Sequence, residues 1–465
     1  MRPQLVSLLL AFAASGAYGA ALEVDLTSSS SIKSAAQLVS HNLMTYYVGN
    51  QSGNTPGILP GPPPAGPYYW WEAGAMWGTL VDYWHYTGDT TYNQLATDSL
   101  LFQANQPQDN YMPPNWTASL GNDDQGFWGM SAMLAAEVNF PNPPADQPQW
   151  LALAQGVFNT QATRWDLTSC NGGLHWQIPS TNGGYDYKNT IANGIFFNLG
   201  ARLARYTGNS TYARWAEQSW NWTSGVGYID DRWNVYDGGH QEHNCTDTNP
   251  AQWSANAAVI LQGSAFMYSY TNGSDIWKTR LDGLLNRTIE VFFPDGIMVE
   301  VSCELKDRMQ CNTDQHSFKG YMHRWLATIT QVAPHTHDTI ATVLKTSTKG
   351  AVSSCTDDGT CGFRWNTGSY DGDTANGPAG QEMSVLGALS SLLITFEPVQ
   401  PPLTNFTGGT SQGNPNAGGD PNVIPAPAPL TSADRGGAGV LTALVLVATL
   451  VALAWMSGTW SEHGH

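Results

Sequence analysis

Apolar residues recur at helical spacing along most of the chain, and the apolar runs come in pairs. Similar junctions separate the two runs of a pair: YTGDTTY (86–92), YTGNSTY (206–212) and, more loosely, YTNGSDIW (270–277). Glycine or asparagine is typical of a helix end, and Ser, Thr or Asp of a helix start. The repeating unit that this pattern predicts is a helical hairpin.

The same pattern predicts twelve helices of two kinds in an all-α fold. One set is rich in Gly, Ala and aromatic residues, which lets helices approach closely, and the other set is more clearly amphipathic. The first set spans 71–86, 124–138, 188–206, 253–270, 318–332 and 381–394, and the second spans 31–46, 91–104, 148–165, 211–223, 275–292 and 336–349. Six hairpins with the first set inside predict an (α/α)6 toroid. An open superhelix is the alternative, but no polar capping repeat is visible at either end.

The N-terminal segment predicts export from the cell. Residues 1–19 hold an apolar run from Leu5 to Ala14 and small residues near Gly19, the pattern of a cleaved signal peptide. Eight Asn-X-Ser/Thr sequons agree with secretion and are expected to be glycosylated. They lie at Asn50, Asn115, Asn209, Asn221, Asn244, Asn272, Asn286 and Asn405.

The other end of the chain predicts a lipid anchor. Residues 438–465 contain an apolar run long enough to span a bilayer, and the Gly/Pro/Ser-rich stretch 401–437 precedes it. A transmembrane helix is one interpretation, but no Lys or Arg follows the run to hold its orientation. We favour a GPI signal, in which the tail is removed and the lipid is attached within 414–419 or at Ser432. The folded domain is then expected over 20–400.

The six cysteines are an even number, and in an oxidising compartment they are expected to pair. Sequence alone leaves the connectivity open; the short loops favour Cys303–Cys311 and Cys355–Cys361, with Cys170 joined to Cys245. HQEHNC (240–245) resembles a metal-binding stretch, but a disulfide cysteine beside a sequon is the simpler interpretation. YDGDTANG (370–377) lacks the ligand series of an EF-hand. No metal and no cofactor are therefore expected.

Charge and aromatic content restrict the class of ligand. The chain has 19 Lys+Arg against 37 Asp+Glu, a formal net charge of −18. Nucleic acid and anionic membrane surfaces would be repelled, so neither is an expected partner, and the lipid anchor is the only expected membrane contact. With 19 Trp and 19 Tyr, the composition favours a ligand that presents apolar faces and hydroxyl groups. This points to carbohydrate.

Parallel inner helices would bring all their N-termini to one rim of the toroid. The stretches that precede these helices carry carboxylates, amides and tryptophans, which predicts a sugar-binding cleft there. The substrate-binding candidates are Trp71, Asn122, Gln125, Trp128, Trp176, Lys188, Asn189, Trp253, Asn256, Asp314, Gln315, Lys319, Trp365 and Asp371. Some have ordinary alternatives. Lysines near helix starts are as often solvated or ion-paired, and tryptophans that lead into a helix are commonly part of the core.

Two adjacent aspartates, Asp123 and Asp124, begin the second inner helix within NDDQGFWGM (122–130). Acids at this position cap helices and interact favourably with the helix dipole, which is the structural alternative. A cap needs one acid, however, and this loop is aromatic and bounded by glycine. Neighbours in a first turn project roughly 100° apart, so two carboxylates can flank a small target. A separation of ~5–5.5 Å between them suits a retaining glycosidase.

The sequence resembles glycoside hydrolase family 76, the endo-α-1,6-mannanases, and within it the fungal GPI-anchored members that act at the cell wall. The resemblance runs through WWEAGAMWG, YTGDTTY, NDDQGFWGM, GGLHWQ, YKNTIANG, DQHSFKGYMHRW, CGFRW and GQEMSVLGAL. It implies an (α/α)6 fold and a retaining mechanism, with Asp123 as nucleophile and Asp124 as acid/base. One departure is Ala255, where the family usually has an aromatic residue, which bears on substrate preference.

The function that the resemblance implies is a retaining endo-α-1,6-mannosidase or transglycosidase of the fungal wall. Its substrate would be α-1,6-mannan or the mannose of a GPI glycan, and wall glucan would be an acceptor for GPI proteins. The protein is expected to act as a monomer, at the outer face of the plasma membrane and in the wall. A non-catalytic mannan-binding wall protein is the alternative. A toroidal polysaccharide lyase is disfavoured because no basic cleft for uronates is indicated.

Overall fold

Twelve α-helices make up most of the chain that the computed structural model describes. The described residues are 20–105, 107–305, 311–372, 377–396 and 399–418, with Thr442 and Thr449. The helices are α1 (Ser29–Thr45), α2 (Trp70–Thr87), α3 (Asn93–Phe102), α4 (Asn122–Glu137), α5 (Trp150–Thr163), α6 (Thr190–Thr207), α7 (Ser210–Gly225), α8 (Ser254–Tyr270), α9 (Asp275–Phe292), α10 (Thr313–Val332), α11 (His337–Ser353) and α12 (Ala379–Leu392). They confirm the predicted order and number, with bounds that differ by a few residues.

The even-numbered helices form a closed inner ring. Each packs against the next, and α12 packs against α2 to close the circle. The odd-numbered helices lie outside, each against its partner in a hairpin, and α1 covers the outside of α12. α1 and α12, the first and last helices of the domain, thus form the sixth pair of an outer and an inner helix. The closed ring confirms the (α/α)6 toroid and not the open superhelix.

Close approach between inner helices depends on glycine. A Cβ atom added at Gly126 of α4 would lie 2.5 Å from the Ile195 side chain of α6, and one added at Gly263 of α8 would lie 2.5 Å from Phe197. At Gly320 of α10 the added atom would meet the backbone of α12 at 2.9 Å. A larger side chain at these positions would force the helices apart. The small residues that marked the inner set therefore act at the helix contacts.

The repeated junctions end and start helices as the sequence predicts. Gly88 and Gly208 follow α2 and α6 with φ of 79° and 72°, the left-handed conformation in which glycine is favoured. The Asn209 side chain then accepts a hydrogen bond from the Thr211 backbone N–H and caps α7. In the third junction the Ser274 side chain caps α9. Each hairpin turn is thus specified locally.

All six inner helices start within a few residues of the predicted positions, and the reason for the difference is clear for two of them. α6 begins at Thr190 because Tyr187–Asn189 forms strand β1, which pairs antiparallel with β2 (Gly238–His240). α10 begins at Thr313, a turn earlier than predicted, because Asn312 is a side-chain cap for it. Both differences arise from hydrogen bonds that hydrophobic periodicity does not report.

Two buried ion pairs cross the inside of the inner ring. Arg324 of α10 bonds Asp82 of α2 at 2.6 Å, and Arg202 of α6 bonds Glu137 of α4 at 2.6 Å. All four side chains are at most 5% exposed. Because a charge left unpaired in such a place is costly, each pair ties its two helices in one register.

Three disulfides join the described loops, with the pairing that the loop lengths favoured. Cys303 is bonded to Cys311, Cys355 to Cys361, and Cys170 to Cys245. The last bond links the loop before α6 to the loop before α8. All eight sequon asparagines are exposed, as glycosylation requires.

The stretch assigned to a spacer does not begin at 401; this prediction was wrong in its first part. Residues 402–418, here called the C-terminal strap, pack against the domain, which therefore extends beyond residue 400. The backbone N–H of Leu403 donates to Glu137 O at the end of α4, at 2.7 Å. The Arg205 guanidinium, near the end of α6, donates to Pro402 O at 2.6 Å. The strap thus begins at the rim where inner helices end, the far rim.

From the far rim the strap follows α5 towards the other rim. The Leu151 N–H donates to Ser411 Oγ at 2.9 Å, and the Asn159 side chain donates to the carbonyls of Pro415 and Ala417 at 2.9 and 3.0 Å. The eight residues of α5 between these contacts span roughly 12 Å of helix. Side-chain and backbone hydrogen bonds therefore fix a segment whose composition is typical of a flexible linker.

The predicted signal peptide (1–19) and most of the anchor signal (438–465) lie outside the described residues. The second unit, 421–465, is described only at Thr442 and Thr449, which are helical. Among the described residues, no helix combines the length and apolarity needed to cross a bilayer.

Replacing Asn159 by alanine is expected to loosen the strap. The change removes both hydrogen bonds to strap carbonyls and should lower the free energy of unfolding by about 1–2 kcal/mol. Urea unfolding of the full chain measures this. Asn416→Ala is the control, since that exposed strap side chain can be removed at a cost below about 0.5 kcal/mol. Equal losses in the free energy of unfolding for the two variants would contradict a stabilising role of the Asn159 hydrogen bonds to the strap.

Candidate active site

A cavity of about 520 Å³ opens at the rim where the inner helices begin. Five of the six inner helices reach it, through Trp71 of α2, Asp123 of α4, Ile191 of α6, Asn256 of α8 and Asp314 of α10. The predicted meeting of helix N-termini at one mouth is therefore present in the described structure. A space of this size holds a few sugar rings.

Asp123 and Asp124 lie in the first turn of α4, and both line the cavity. Asp124 Oδ2 accepts the backbone N–H of Gly121 at 2.5 Å, and Asp123 Oδ1 accepts the N–H of Asp124 at 2.9 Å. The capping interpretation is thus correct for Asp124, whose carboxylate satisfies an N-terminal donor. Capping and a place in the cavity are combined in the same side chain.

The space above Gly121 is where the two carboxylates converge. A Cβ atom added to Gly121 would lie 2.3 Å from Asp123 Oδ1 and 3.2 Å from Asp124 Oδ2. These two oxygens are therefore no further apart than the ~5–5.5 Å that separates the carboxyl groups of retaining glycosidases. Glycine is needed here for space, since its φ of −88° is open to any residue.

Burial and mutual repulsion shift both carboxyl groups towards the protonated form. Burial raises the pKa of Asp123 to about 7, and hydrogen bonds from the Asp124 N–H and the Trp176 indole oppose part of the rise. Burial also raises the pKa of Asp124 well above its ordinary value, and the negative charge of Asp123 adds to this. Asp124 is therefore the group that keeps its proton to higher pH.

Further acids surround the pair. Burial raises the pKa of Asp314, whose Oδ1 has no hydrogen-bond partner among the described residues. Asp237 lines the cavity on the side of β2, where it accepts the Tyr187 hydroxyl at 2.8 Å and the Asn256 amide at 3.3 Å. Unpaired carboxylate oxygens are acceptors suited to sugar hydroxyls.

Aromatic side chains form the walls of the cavity. Trp71, Trp176 and Trp253 line it together with Tyr69 and Phe318. Tyr69 is 47% exposed and Trp176 is 36% exposed, so each presents ring surface to a ligand. Apolar ring surface next to carboxylates matches the alternating apolar faces and hydroxyl groups of a sugar.

Nine of the residues proposed from sequence line the cavity: Trp71, Asp123, Asp124, Trp176, Asn189, Trp253, Asn256, Asp314 and Gln315. Eight others were missed, namely Tyr69, Ser119, Phe127, Gln177, Tyr187, Ile191, Asp237 and Phe318, as was the α10 cap Asn312. Most of these lie within two residues of a predicted residue. Asp237 is different, because it lies well before α8 and reaches the cavity through the pairing of β2 with β1.

The two lysines proposed for substrate contact lie outside the cavity and are corrected to structural roles. Lys188 is buried and donates to Asp166 Oδ2 at 2.9 Å and to the carbonyl of Gly172 at 2.7 Å. Lys319 is buried, and its Nζ bonds Glu304 at 2.8 Å and the carbonyl of Phe363 at 2.6 Å. Each lysine thus stabilises a loop that precedes an inner helix. Of the two interpretations of these lysines, the structure supports ion pairing and not contact with the substrate.

Five other candidates support the site without lining it. Asn122 and Gln125 accept hydrogen bonds from the Arg164 side chain at the end of α5, which fixes the start of α4. Trp128 is fully buried and stacks on Trp70. Trp365 is fully buried, and Asp371 accepts the backbone N–H groups of Phe363 and Arg364. Ala255 is likewise buried in α8 and does not line the cavity.

A toroid of six helical hairpins with paired carboxylates in an aromatic cleft is the arrangement expected of a glycoside hydrolase. The sequence profile of Glycosyl hydrolase family 76 matches residues 31–405. The chain belongs to this family.

Fungal proteins are similar over nearly the whole chain. Mannan endo-1,6-alpha-mannosidase DCW1 of Saccharomyces cerevisiae is 43% identical over 94% of this chain and 95% of its own length. The crystal structure of Dfg5 from Chaetomium thermophilum, in complex with glucosamine, is 55% identical and superposes with a TM-score of 0.82 over 86% of this chain and 98% of its own. An α-1,6-mannanase variant of Salegentibacter shares the fold at 13% identity, with a TM-score of 0.62 over 78% of this chain and 99% of its own.

Replacing Gly121 by alanine is expected to reduce activity while the fold is kept. The added methyl group would lie 2.3 Å from Asp123 Oδ1 and 3.0 Å from the Trp176 carbonyl oxygen, so the Asp123 carboxylate has to move and a modest loss of stability is expected with it. A shift of about 1 Å in a reacting group costs on the order of 10²-fold in rate. Turnover of an α-1,6-mannan oligosaccharide and the thermal midpoint measure both effects. Gly183→Ala is the control, because a Cβ there meets nothing within 4 Å.

Proposed function

We propose that this protein is a retaining endo-α-1,6-mannosidase or transglycosidase, with Asp123 as nucleophile and Asp124 as acid/base. The observation that carries the proposal is the convergence of the two carboxylates above Gly121, inside a cavity walled by aromatic rings. Retention needs one carboxylate within bonding reach of the anomeric carbon and a second beside the leaving oxygen. The upper limit on the separation of these two oxygens is compatible with that arrangement.

Each step follows from the state of the two groups. An oxygen of Asp123 forms a bond to the anomeric carbon as the bond to the leaving oxygen breaks, and the Asp124 proton passes to that oxygen. Asp124, now ionised, then takes a proton from the acceptor hydroxyl as that acceptor attacks the anomeric carbon and releases Asp123. Water as acceptor gives hydrolysis, and a sugar hydroxyl gives transfer.

The assignment of roles rests on unequal surroundings. Asp123 accepts two N–H donors, which favour its anionic form, and the start of α4 adds a favourable dipole. Asp124 accepts one donor and lies beside the charge of Asp123, so its pKa is raised well above the ordinary value. Groups whose surroundings separate their pKa values in this way divide acid and nucleophile roles.

The names of relatives support the substrate class. The similar fungal proteins are named mannan endo-1,6-alpha-mannosidases, and the Chaetomium protein was crystallised with glucosamine. The Salegentibacter α-1,6-mannanase, in an inactive form with two consecutive aspartates changed to asparagine, was crystallised with α-1,6-mannotriose. A consecutive pair of aspartates is what α4 presents here. These names support α-1,6-mannan as the proposed substrate of this chain. The mannose of a GPI glycan is proposed as a substrate from the family resemblance alone.

The site of action follows from the proposed signals at both ends. A secreted, GPI-anchored protein would meet mannan and GPI glycans at the outer face of the plasma membrane and in the wall. There, transfer of a mannose-linked protein to wall glucan would contribute to wall biogenesis. We propose that the protein acts as a monomer, since the cavity is complete within one chain.

Changing either aspartate to asparagine is expected to abolish turnover of α-1,6-mannan oligosaccharides. Asp123→Asn and Asp124→Asn should each lower kcat by about 10²-fold or more, with the fold retained. An aryl α-1,6-mannobioside separates the roles: its good leaving group needs no acid, so Asp124→Asn should still release the aryl group in a first burst. Asp123→Asn should not.

Asp338→Asn is the matched control, because Asp338 is also the second residue of its helix, α11, but is exposed outside the cavity. NMR of the first-formed product tests retention, with the α-anomer expected. A wild-type protein that binds the oligosaccharide without turnover, and variants that bind equally well, would instead indicate a non-catalytic mannan-binding protein.

A further inference from the structure

Trp176 is fixed to the start of α4 through its backbone. Its carbonyl accepts the Asn122 N–H at 2.8 Å, and its own N–H donates to Tyr187 O, at the start of β1, at 2.7 Å. Gly121 and Gln177 form an antiparallel bridge beside these bonds. The backbone of Trp176 is therefore held beside the start of α4, close to Asp123, which follows Asn122 in the helix.

The indole of Trp176 presents its N–H to the dyad. Nε1 donates to Asp123 Oδ2 at 2.8 Å. On the other part of the ring, a Cβ atom added to Gly184 would lie 2.6 Å from Cε3, and Gly184 has a φ of +85° that favours glycine. The indole ring is thus packed against Gly184, and this contact helps to orient it. The ring also lines the cavity.

Within the described part of the chain, further carboxyl groups lie near Asp123. Asp124 is its neighbour on α4, and Asp314 approaches from α10. Behind them, Glu72 of α2 is buried and acts on Asp124 and Asp314. None of these groups favours a carboxylate at Asp123, so the anionic form is stabilised by the donors it accepts: the Asp124 N–H and the Trp176 indole.

We propose that Trp176 is a positioning residue for the nucleophile: its indole N–H orients the Asp123 carboxylate and makes Asp123, not Asp124, the group that attacks. This rests on the proposed function and deepens it. The hydrogen bond remains on Asp123 while one of its oxygens bonds the anomeric carbon and the Asp124 proton passes to the leaving oxygen. Ring stacking on a sugar, the role expected from the sequence, is secondary.

Trp176→Phe tests this, because it keeps an aromatic ring and removes the donor. The pKa of Asp123 should rise, so that less of it is ionised at a given acidic pH. The acid limb of the pH profile of kcat/KM should then move up by roughly 0.5–1 pH unit, and kcat should fall about tenfold. KM for the mannan oligosaccharide should change little. Trp176→His, which restores a ring N–H, should recover part of both effects.

Trp253→Phe is the matched control. Trp253 also lines the cavity, but its indole acts on Asp237 and not on Asp123. Trp253→Phe should leave the acid limb of the kcat/KM profile at the same pH as in the wild type. The proposal is overturned if Trp176→Phe raises KM and leaves the acid limb and kcat unchanged, because that is the signature of stacking alone.

A mechanism-based label separates this proposal from the proposed function. An epoxide or aziridine analogue of α-mannose forms an ester with the nucleophile, and peptide mass spectrometry locates it. One outcome supports both the proposed mechanism and the role of Trp176: the wild type is labelled at Asp123, and the Trp176→Phe variant is labelled there more slowly at acidic pH. Labelling of Asp123 with identical pH dependence in the two proteins rejects the role of Trp176 only. Labelling of Asp124, or of neither aspartate, rejects the assigned mechanism and the role of Trp176 with it.

Discussion

Close approach of the inner helices is the constraint on which the rest of this structure depends. Glycine at contacts such as Gly126 and Gly263 lets neighbouring inner helices pack with side chains against backbone. Only a tight ring brings the first turns of five helices to the edge of a cavity of about 520 Å³. Because the ring is closed by contact between α2 and α12, its first and last inner helices, the cleft exists only when the whole domain has folded.

The first turn of α4 shows how one local feature acts in folding and in chemistry. The Asp124 carboxylate satisfies the Gly121 N–H and also borders the cavity beside Asp123. A helix start has free N–H donors, a favourable dipole and side chains that diverge from adjacent positions. These properties provide the two carboxylates with different surroundings although they are neighbours in sequence. Capping the helix and lining the cavity are therefore compatible in one side chain.

Hydrophobic periodicity and small-residue content predicted the helices and their inner and outer places, and two adjacent acids at a helix start indicated the aspartate pair. Each of these depends on residues within one or two turns of each other. The errors concern contacts between distant segments. Lys319 was proposed as a ligand residue because it lies near a helix start, but Glu304 and Phe363 bury it from two other loops. Asp237 was missed because the pairing of β1 and β2, which no periodicity indicates, carries it to the cavity.

The C-terminal strap has a mechanical consequence. α12 ends at the far rim, and without the strap a pull on the chain beyond it would act directly on the helix that closes the ring. The strap instead runs along α5, where Ser411, Pro415 and Ala417 are bonded to that helix. Tension from the C-terminal side therefore acts first on the bonds between the strap and α5. The ring closure between α12 and α2 stays unloaded until those bonds have given way.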